Sequence, residues 1–289
     1  WFRDVRAGDL ARYRDGNWWR YPDVEPARFV FGWFSWGVAA SADGSVLATG
    51  RSGVSELVDD GWEPHSALGD ATWATDVAVD ADGVVWVGST QTGFRRWDGS
   101  DLTRTGVTAG PFEELAITSD GVVWGTSKAA FSVSFHDPAT DTAGRETVPI
   151  DAPDGSVWHP VITVDPDGDL WTMAGSTSPD GSSWRLAELD VASGEWELVD
   201  VPSPVDDLGN AGPWSLAVDD GGAWVTFEPG NGFVGDRSDV AGVHRFDGTA
   251  WTVHLPDRAA SSVGVAADGS VWAATEDGPV RVTAPPAGS

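Results

Sequence analysis

The chain contains no cysteine among its 289 residues. That absence excludes disulfide bonds, thiolate catalysis and zinc–thiolate sites, and it leaves the redox compartment undefined. Long apolar runs are also missing, since no stretch approaches the ~18 residues of a membrane-spanning helix. No segment has the apolar spacing of a long amphipathic helix. The sequence therefore predicts neither a membrane-inserted nor a helical protein.

Positive charge is scarce. The chain has 17 Lys and Arg against 45 Asp and Glu, a formal net charge of −28, and Lys128 is its only lysine. Like charges repel, so this balance argues against nucleic acid and anionic membranes as partners. The imbalance favours solubility and cationic ligands.

The ends of the chain suggest a piece of something longer. No signal peptide is visible, and the first residue is Trp1 rather than Met, which indicates a processed product or an excised segment. The last residues, Pro285–Ser289, have the composition of a linker.

A repeat runs through the whole sequence. Its second strand recurs seven times, beginning at Trp1, Leu47, Trp86, Trp124, Trp171, Trp224 and Trp272. Six copies follow an Asp-Gly or Gly-Gly pair, as in Asp82-Gly83, and such a pair between two apolar strands is a strong hairpin signal. Each copy is flanked by further short strand patterns, so one repeat predicts four antiparallel strands.

Four-stranded repeats of this kind predict a β-propeller. Seven second strands favour seven blades in one all-β domain over 1–284, with 285–289 as a tail. In this interpretation the first blade lacks its first strand and the last blade lacks its fourth. The alternative is six blades with a spare hairpin.

The repeated Trp residues, such as Trp86 and Trp224, occupy one strand position, so we expect them to pack between neighbouring blades. The segment leading into each first strand should lie at the mouth of the central channel. Aligning the hairpins defines one inner-strand start position, occupied by Gly37, Asp76, Glu114, Val161, Ser215 and Ser262. The residues two places further on are uniformly small, as the centre of a ring requires.

Aromatic and polar residues surround this predicted mouth. Aromatic walls with a few polar groups suit a planar or sugar-like ligand, or a cation held over the rings. The predicted ligand-binding residues are Trp36, Trp73, Asp76, Phe112, Glu114, Trp158, His159 and Trp214. Sideways packing of the aromatic residues between blades is the structural alternative.

Catalysis is a second hypothesis. Of the five histidines only His159 falls near the mouth, where it could act as a general base beside Glu114. No nucleophile elbow, phosphate loop or metal-spaced His/Glu pair supports a particular reaction.

No cofactor is expected. Asp165-Pro-Asp-Gly-Asp169 resembles a calcium loop in its spacing but lacks the distal Glu. Ca²⁺ or Mg²⁺ there is the alternative.

Asp82-Gly-Val-Val-Trp-Val-Gly-Ser-Thr, continuing to Gly99, resembles the two-component-regulator propeller repeat, and Asp268–Gly278 is a second match. That resemblance implies a bacterial, extracytoplasmic sensor domain that binds a ligand, commonly carbohydrate. The repeat is also similar to that of virginiamycin B lyase and lactonase-like propellers. Those repeats tend to read Leu-Trp-Phe-Thr-Glu, and this chain offers no pair of residues that matches the lyase's catalytic His and Glu.

Three functions follow as hypotheses. The first is a recognition or sensor module, extracytoplasmic or secreted, that binds a small molecule or carbohydrate at the mouth. The second is a propeller lyase or hydrolase. The third is a scaffold that binds protein over the Gly-rich loop Glu228–Ala241. A cytoplasmic location stays open as an alternative.

Overall fold

The structure, a computed structural model, consists of antiparallel β-sheets. It describes residues 2–4, 9–14, 17–21, 37–41, 44–50, 53–58, 61–65, 67–68, 71, 73–107, 112–127, 132–150, 156–157, 161–178, 181–201, 212–228, 242–266, 268–275 and 277–282. No helix in these ranges has the length and apolarity that a membrane crossing requires. By backbone contacts the chain falls into two compact units, Arg6–Pro149 with Trp1, and Ile150–Ser289 with Phe2–Val5.

Three complete sheets belong to the first unit, each with four strands. Their strands, in chain order, are β4 (Val38–Ala40), β5 (Val46–Gly50), β6 (Gly53–Val58) and β7 (Gly61–Pro64); β8 (Ala74–Val79), β9 (Val85–Ser89), β10 (Gly93–Trp97) and β11 (Leu102–Arg104); and β12 (Phe112–Ile117), β13 (Val123–Ser127), β14 (Ser132–Asp137) and β15 (Thr142–Thr147). A short sheet precedes them, with β1 (Phe2–Asp4), β2 (Asp9–Arg14) and β3 (Asn17–Tyr21).

The second unit holds two complete sheets and a three-stranded one. Their strands are β16 (Ser156–Val157), β17 (Val161–Val164), β18 (Leu170–Ser178), β19 (Gly181–Asp190) and β20 (Glu195–Asp200); β21 (Gly212–Asp219), β22 (Gly222–Glu228), β23 (Val243–Phe246) and β24 (Trp251–His254); and β25 (Ala260–Val265), β26 (Val271–Thr275) and β27 (Gly278–Val282). In the first of these sheets both β16 and β17 pair with β18.

The all-β propeller architecture is confirmed, but the predicted number of blades is wrong: the structure has six blades, not seven. Five are complete, and β25–β26–β27 is the sixth. The short amino-terminal sheet is not a seventh four-stranded blade: it has three strands, and its strand β1 is grouped with the second unit, where it lies against β25 and β26. The prediction of seven blades counted the second-strand motif at Trp1 as a blade of its own.

The Asp-Gly turns fold as the sequence predicts. In the β8–β9 hairpin, Gly83 has φ +82° and its N–H donates to the carbonyl of Asp80 at 3.1 Å. Only glycine adopts this backbone without strain, which explains why the pair recurs between first and second strands.

In three blades an aspartate of the turn also anchors the tryptophan that follows it. The indole Nε1–H of Trp86 donates to Asp80 Oδ2 at 3.0 Å, and that of Trp171 donates to Asp165 Oδ2 at 3.0 Å. Trp224 makes the same bond with Asp219 at 2.7 Å. The turn aspartate therefore satisfies a buried indole as well as shaping the turn.

The blade of β12–β15 lacks this anchor. Thr118 stands in place of the aspartate and donates to Asp120, while Trp124 Nε1 has no hydrogen-bond partner among the described residues. An unsatisfied buried donor costs stability. We expect Thr118→Asp to raise the free energy of unfolding by about 1 kcal/mol, measured by urea denaturation.

The control for this prediction removes the indole N–H. In a Trp124→Phe background, Thr118→Asp should give no gain, because there is no donor left to satisfy. An equal gain in both backgrounds would contradict the anchor.

Two of the repeated tryptophans, Trp86 and Trp224, pack between blades as predicted. Trp86 is fully buried in a cluster with Phe94, and with Leu115 and Val123 of the next blade. In the second unit, Trp224 is likewise buried against Val263 and neighbours from β25 and β26. Each unit thus builds its core from the faces of consecutive blades.

The β18–β19 hairpin has longer strands than the other hairpins between second and third strands, with Ser176 opposite Ser183 and Ser178 opposite Gly181. Of the Gly-rich loop Glu228–Ala241, Glu228 ends β22, and 229–241 lie outside the described residues.

Candidate functional site

The predicted ligand residues of the first unit lie where the first strands of two blades begin. Trp73 immediately precedes β8, Asp76 is the third residue of β8, and Glu114 is the third residue of β12. These first strands are sheet edges, and β8 lies against both β4 and β12. All three side chains are half-buried. The structure therefore places Asp76 and Glu114 at the same end of neighbouring strands.

Other predicted residues are described only in part. Phe112 begins β12 and pairs with Ser127, but its side chain is not described. Trp36, Trp158 and His159 lie outside the described residues. Trp214 belongs to the second unit, in β21, where it is half-buried.

A β-bulge marks the start of the first strand in four blades. In β8 the register shifts between Ala74 and Asp76, which leaves Thr75 as the extra residue. The same shift occurs in β12, β21 and β25. Bulges bend a strand and re-aim its side chains, and they are frequent beside functional sites. The repeat thus changes its geometry where the sequence predicts ligand contacts.

The carboxylate of Asp76 links two blades. Its Oδ1 accepts the N–H of Val77 at 2.9 Å, and its Oδ2 accepts the N–H of Leu115 in β12 at 2.7 Å. Charge-assisted bonds of this kind are stronger than neutral ones. Asp76 therefore holds the start of β12 in place and, with it, the adjacent Glu114.

Gly37 completes this junction from the preceding blade. Its N–H lies 3.0 Å from the carbonyl oxygen of Thr75 and 2.8 Å from Thr49 Oγ1. A Cβ atom on Gly37 would stand 1.6 Å from Asp76 Oδ1. Only glycine fits this close approach, so three consecutive first strands meet around one carboxylate.

The second unit repeats the link with a hydroxyl group. Ser215, at the same inner-strand start position, accepts the N–H of Val263 at 3.2 Å and donates to its carbonyl oxygen at 3.3 Å. Trp214 is the bulged residue just before it. The polar link between first strands is therefore a property of the repeat and is not peculiar to Asp76.

Trp73 has an uncommon backbone conformation. Its φ is +60°, a left-handed value that is rare for a bulky residue. Such strain persists only where the surroundings enforce it, and it clusters at functional sites. The carbonyl oxygen of Trp73 accepts the N–H of Thr90 at 3.3 Å, which fixes the segment to the β9–β10 connection.

These contacts give one of the predicted residues a structural role. The two oxygens of Asp76 accept backbone N–H groups, so Asp76 positions the start of β12. Asp76, Trp73 and Glu114 all stay predicted ligand contacts. Sequence reasoning missed Gly37, Thr49 and Thr75 as supports. One signal was present in the sequence: the alignment of the hairpins places Gly37 at the position that Asp76 and Glu114 occupy in the next two repeats.

A third carboxylate lies near the loop that resembles a calcium site in its sequence. Carboxylate oxygens of Asp165, Asp169 and Glu188 lie within 4.8 Å of one another, so a distal glutamate comes from β19. Both oxygens of Asp165 already accept turn N–H groups and the Trp171 indole. Asp169 accepts the N–H of Val191. Turn formation explains both aspartates, and Ca²⁺ or Mg²⁺ binding remains an untested prediction.

No protein-family model matches the chain, and no curated protein matches it. Solved structures do. A catalytically inactive variant of virginiamycin B lyase from Staphylococcus aureus with quinupristin is 13% identical, with a TM-score of 0.64 over 97% of this chain and 89% of that one.

Two surface proteins are similar as well. The extracellular domain of BT4673 from B. thetaiotaomicron, assigned to a one- or two-component system, is 13% identical with a TM-score of 0.62, over 85% of this chain and 32% of that one. PorZ of Porphyromonas gingivalis is 16% identical with a TM-score of 0.57, over 82% of this chain and 38% of PorZ. The chain thus spans about a third of these two proteins. At such identities the similarity shows the fold alone, a β-propeller of the kind found both in a lyase and in an extracellular sensor domain.

Proposed function

We propose that the chain is a recognition module that binds a small-molecule or carbohydrate-like ligand at the amino-terminal ends of its first strands. In the first unit, Trp73 supplies an aromatic surface and Glu114 a polar anchor, with Asp76 holding the strand that carries Glu114. In the second unit the proposed aromatic surface comes from Trp214, the bulged residue before Ser215. Trp36, Phe112, Trp158 and His159 complete the proposed set.

The strained Trp73 is the single observation that carries this proposal. A half-buried indole held at φ +60° beside a bulge is a costly arrangement for packing alone. An aromatic face of this kind is well suited to a sugar ring or a cation.

Charge and fold are consistent with a sensor outside the cytoplasm. The net charge of −28 disfavours nucleic acid as a ligand. An extracellular sensor domain shares the fold, and we extend that location to this chain as part of the proposal.

A binding screen tests the proposal. A panel of neutral and amino oligosaccharides is ranked by thermal shift, and the best is titrated calorimetrically. We expect Trp73→Ala to weaken binding by about 10-fold or more, because aromatic contacts supply much of the affinity at such sites. Glu114→Gln should weaken it less.

Trp62→Ala is the matched control, because Trp62 is a half-buried tryptophan in the outer strand β7 of the same unit. It should leave affinity unchanged. A ligand whose affinity is the same for Trp73→Ala and wild type would refute the assigned surface.

The enzyme hypothesis requires His159 as a general base beside Glu114. The structure describes Glu114, but His159 lies outside the described residues. The scaffold hypothesis depends on 229–241, which are also outside them. Recognition is the function with described geometry behind it.

A further inference from the structure

A row of three side chains crosses the first blade of the second unit. Trp171 of β18 lies opposite Glu188 of β19, which lies opposite Glu197 of β20. Residues directly opposite each other in adjacent strands point to the same face of the sheet. An indole and two carboxylates therefore stand side by side, and two like charges opposite each other are unfavourable.

Other blades carry an arginine at the central place of this row. Arg96 lies opposite Trp86, Arg245 opposite Trp224, and Arg281 opposite Trp272. In the second of these, Arg245 Cζ lies 5.1 Å from the centre of the Trp224 ring, a cation–π contact. Three blades thus pair their tryptophan with a guanidinium group, whereas Trp124 lies opposite Phe135. In the blade of Trp171, Glu188 takes the place of the arginine.

The charge on Glu188 is not neutralised within the described chain. Burial, followed by the nearby Asp165, Asp169, Glu197 and Asp190, raises the pKa of Glu188 to about 6. The ion pairs found among the described residues include Asp200 with Arg185, but none joins Glu188 or Glu197. A cation from outside would relieve this repulsion.

An open cleft lies over the row. Its volume is about 580 Å³, within the usual range of ligand sites. Its apolar walls come from Trp171, Phe246 and Trp251, and its acidic side from Glu188 and Glu197. The cleft lies between the outer strand β20 and the β23–β24 turn, so it belongs to two blades of one unit.

We propose that this cleft binds an arginine side chain of a partner polypeptide, stacked on Trp171 and paired with Glu188 and Glu197. Arginine fits better than lysine, because its planar guanidinium can stack on an indole while its N–H groups engage carboxylates. The contact of Arg245 with Trp224 shows the same stacking within the chain.

A polypeptide fits better than a free cation because of β20. This strand is the last in its sheet order, so no strand of the described sheets pairs with its outer edge. At the end of β20 the Trp251 indole N–H donates to the carbonyl oxygen of Asp200 at 3.2 Å. An edge strand offers backbone groups to an extended segment. Leu198 on the same strand is 37% exposed and gives an apolar contact at the cleft.

A matched pair of peptides tests this site. The probes are acetyl-Gly-Arg-Gly-amide and the same peptide with citrulline, which keeps the shape of arginine but lacks its charge. Binding is followed by the shift of the Trp171 indole N–H in NMR titrations. We expect saturable binding of the arginine peptide that weakens with salt, and citrulline binding weaker by about 10-fold.

Three variants sharpen the result. Glu188→Gln should weaken binding several-fold. Glu188→Arg should abolish it, because the chain then fills the place with its own guanidinium, as the blades of Trp86 and Trp224 do. Glu63→Gln is the control, since Glu56 and Glu63 also face each other but beside Leu47, without an aromatic ring, and it should leave binding unchanged.

Equal binding of the two peptides, or full binding by Glu188→Arg, would overturn the proposal. So would tighter binding of agmatine, a free guanidinium compound, than of the peptide, or a response to Ca²⁺ alone. This test is read at Trp171. A negative result would therefore overturn the arginine cleft without bearing on the proposed ligand surface at Trp73.

Discussion

Gly222→Ala should lower the free energy of unfolding by about 3 kcal/mol or more, which is a severe effect for the addition of one methyl group. Gly222 has φ +134°, a conformation that other residues rarely adopt. A Cβ atom there would stand 1.8 Å from the carbonyl oxygen of Phe246 and 2.9 Å from its carbonyl carbon. Both are backbone atoms of β23, so the strand pair would have to separate.

The neighbouring glycine is the control. A Cβ on Gly221 would meet only the tip of the Arg245 side chain at 2.6 Å and Asp219 Oδ1 at 3.3 Å, and a long side chain can move. Gly221→Ala should therefore cost less than about 1 kcal/mol. Urea denaturation followed by tryptophan fluorescence measures both variants. Similar midpoints for the two would contradict the close packing of β22 on β23.

Acid should destabilise the fold through His244. This side chain is 6% exposed, packs edge-on against Phe227 at 5.0 Å, and has no partner for Nε2 among the described residues. Burial lowers the pKa of His244 from 6.5 to about 4. The folded state thus keeps the ring neutral where the unfolded chain binds a proton.

The sign follows from that difference. Stability from the neutral ring is complete above pH 6.5 and is lost as the pH falls towards 4, by up to about 3 kcal/mol. His244→Phe removes the titration, so its stability should fall less than that of wild type between pH 7 and 4. Burial also lowers the pKa of His136, which leaves a smaller slope in the variant. Parallel curves for the two proteins would contradict a buried neutral His244.

Local patterns predicted the blades well because their causes are local. An Asp-Gly pair fixes a hairpin within a few residues, and a tryptophan two or three places later marks the strand that packs on the next blade. The number of blades was harder. It depends on where β1 lies relative to β25 and β26, which are over 250 residues away in the chain.

The candidate site shows the same limit. The alignment placed Asp76 and Glu114 at one position, and the structure puts them on neighbouring strands. The alignment could not show that the carboxylate of Asp76 accepts the N–H of Leu115, because this partner is a backbone group 39 residues away in the chain. The row of Trp171, Glu188 and Glu197 was equally hidden, since strand register decides which residues lie opposite each other.

Indole N–H signals in ¹⁵N-labelled protein test the proposed recognition surface most directly. The chain has 18 tryptophans, and Trp73→Phe identifies the signal of Trp73 by its loss. On titration with the oligosaccharide that binds best, the Trp73 signal should shift while those of Trp171 and Trp251 stay in place. Shifts confined to Trp171 and Trp251, with Trp73 unmoved, would contradict recognition at the start of the first strands.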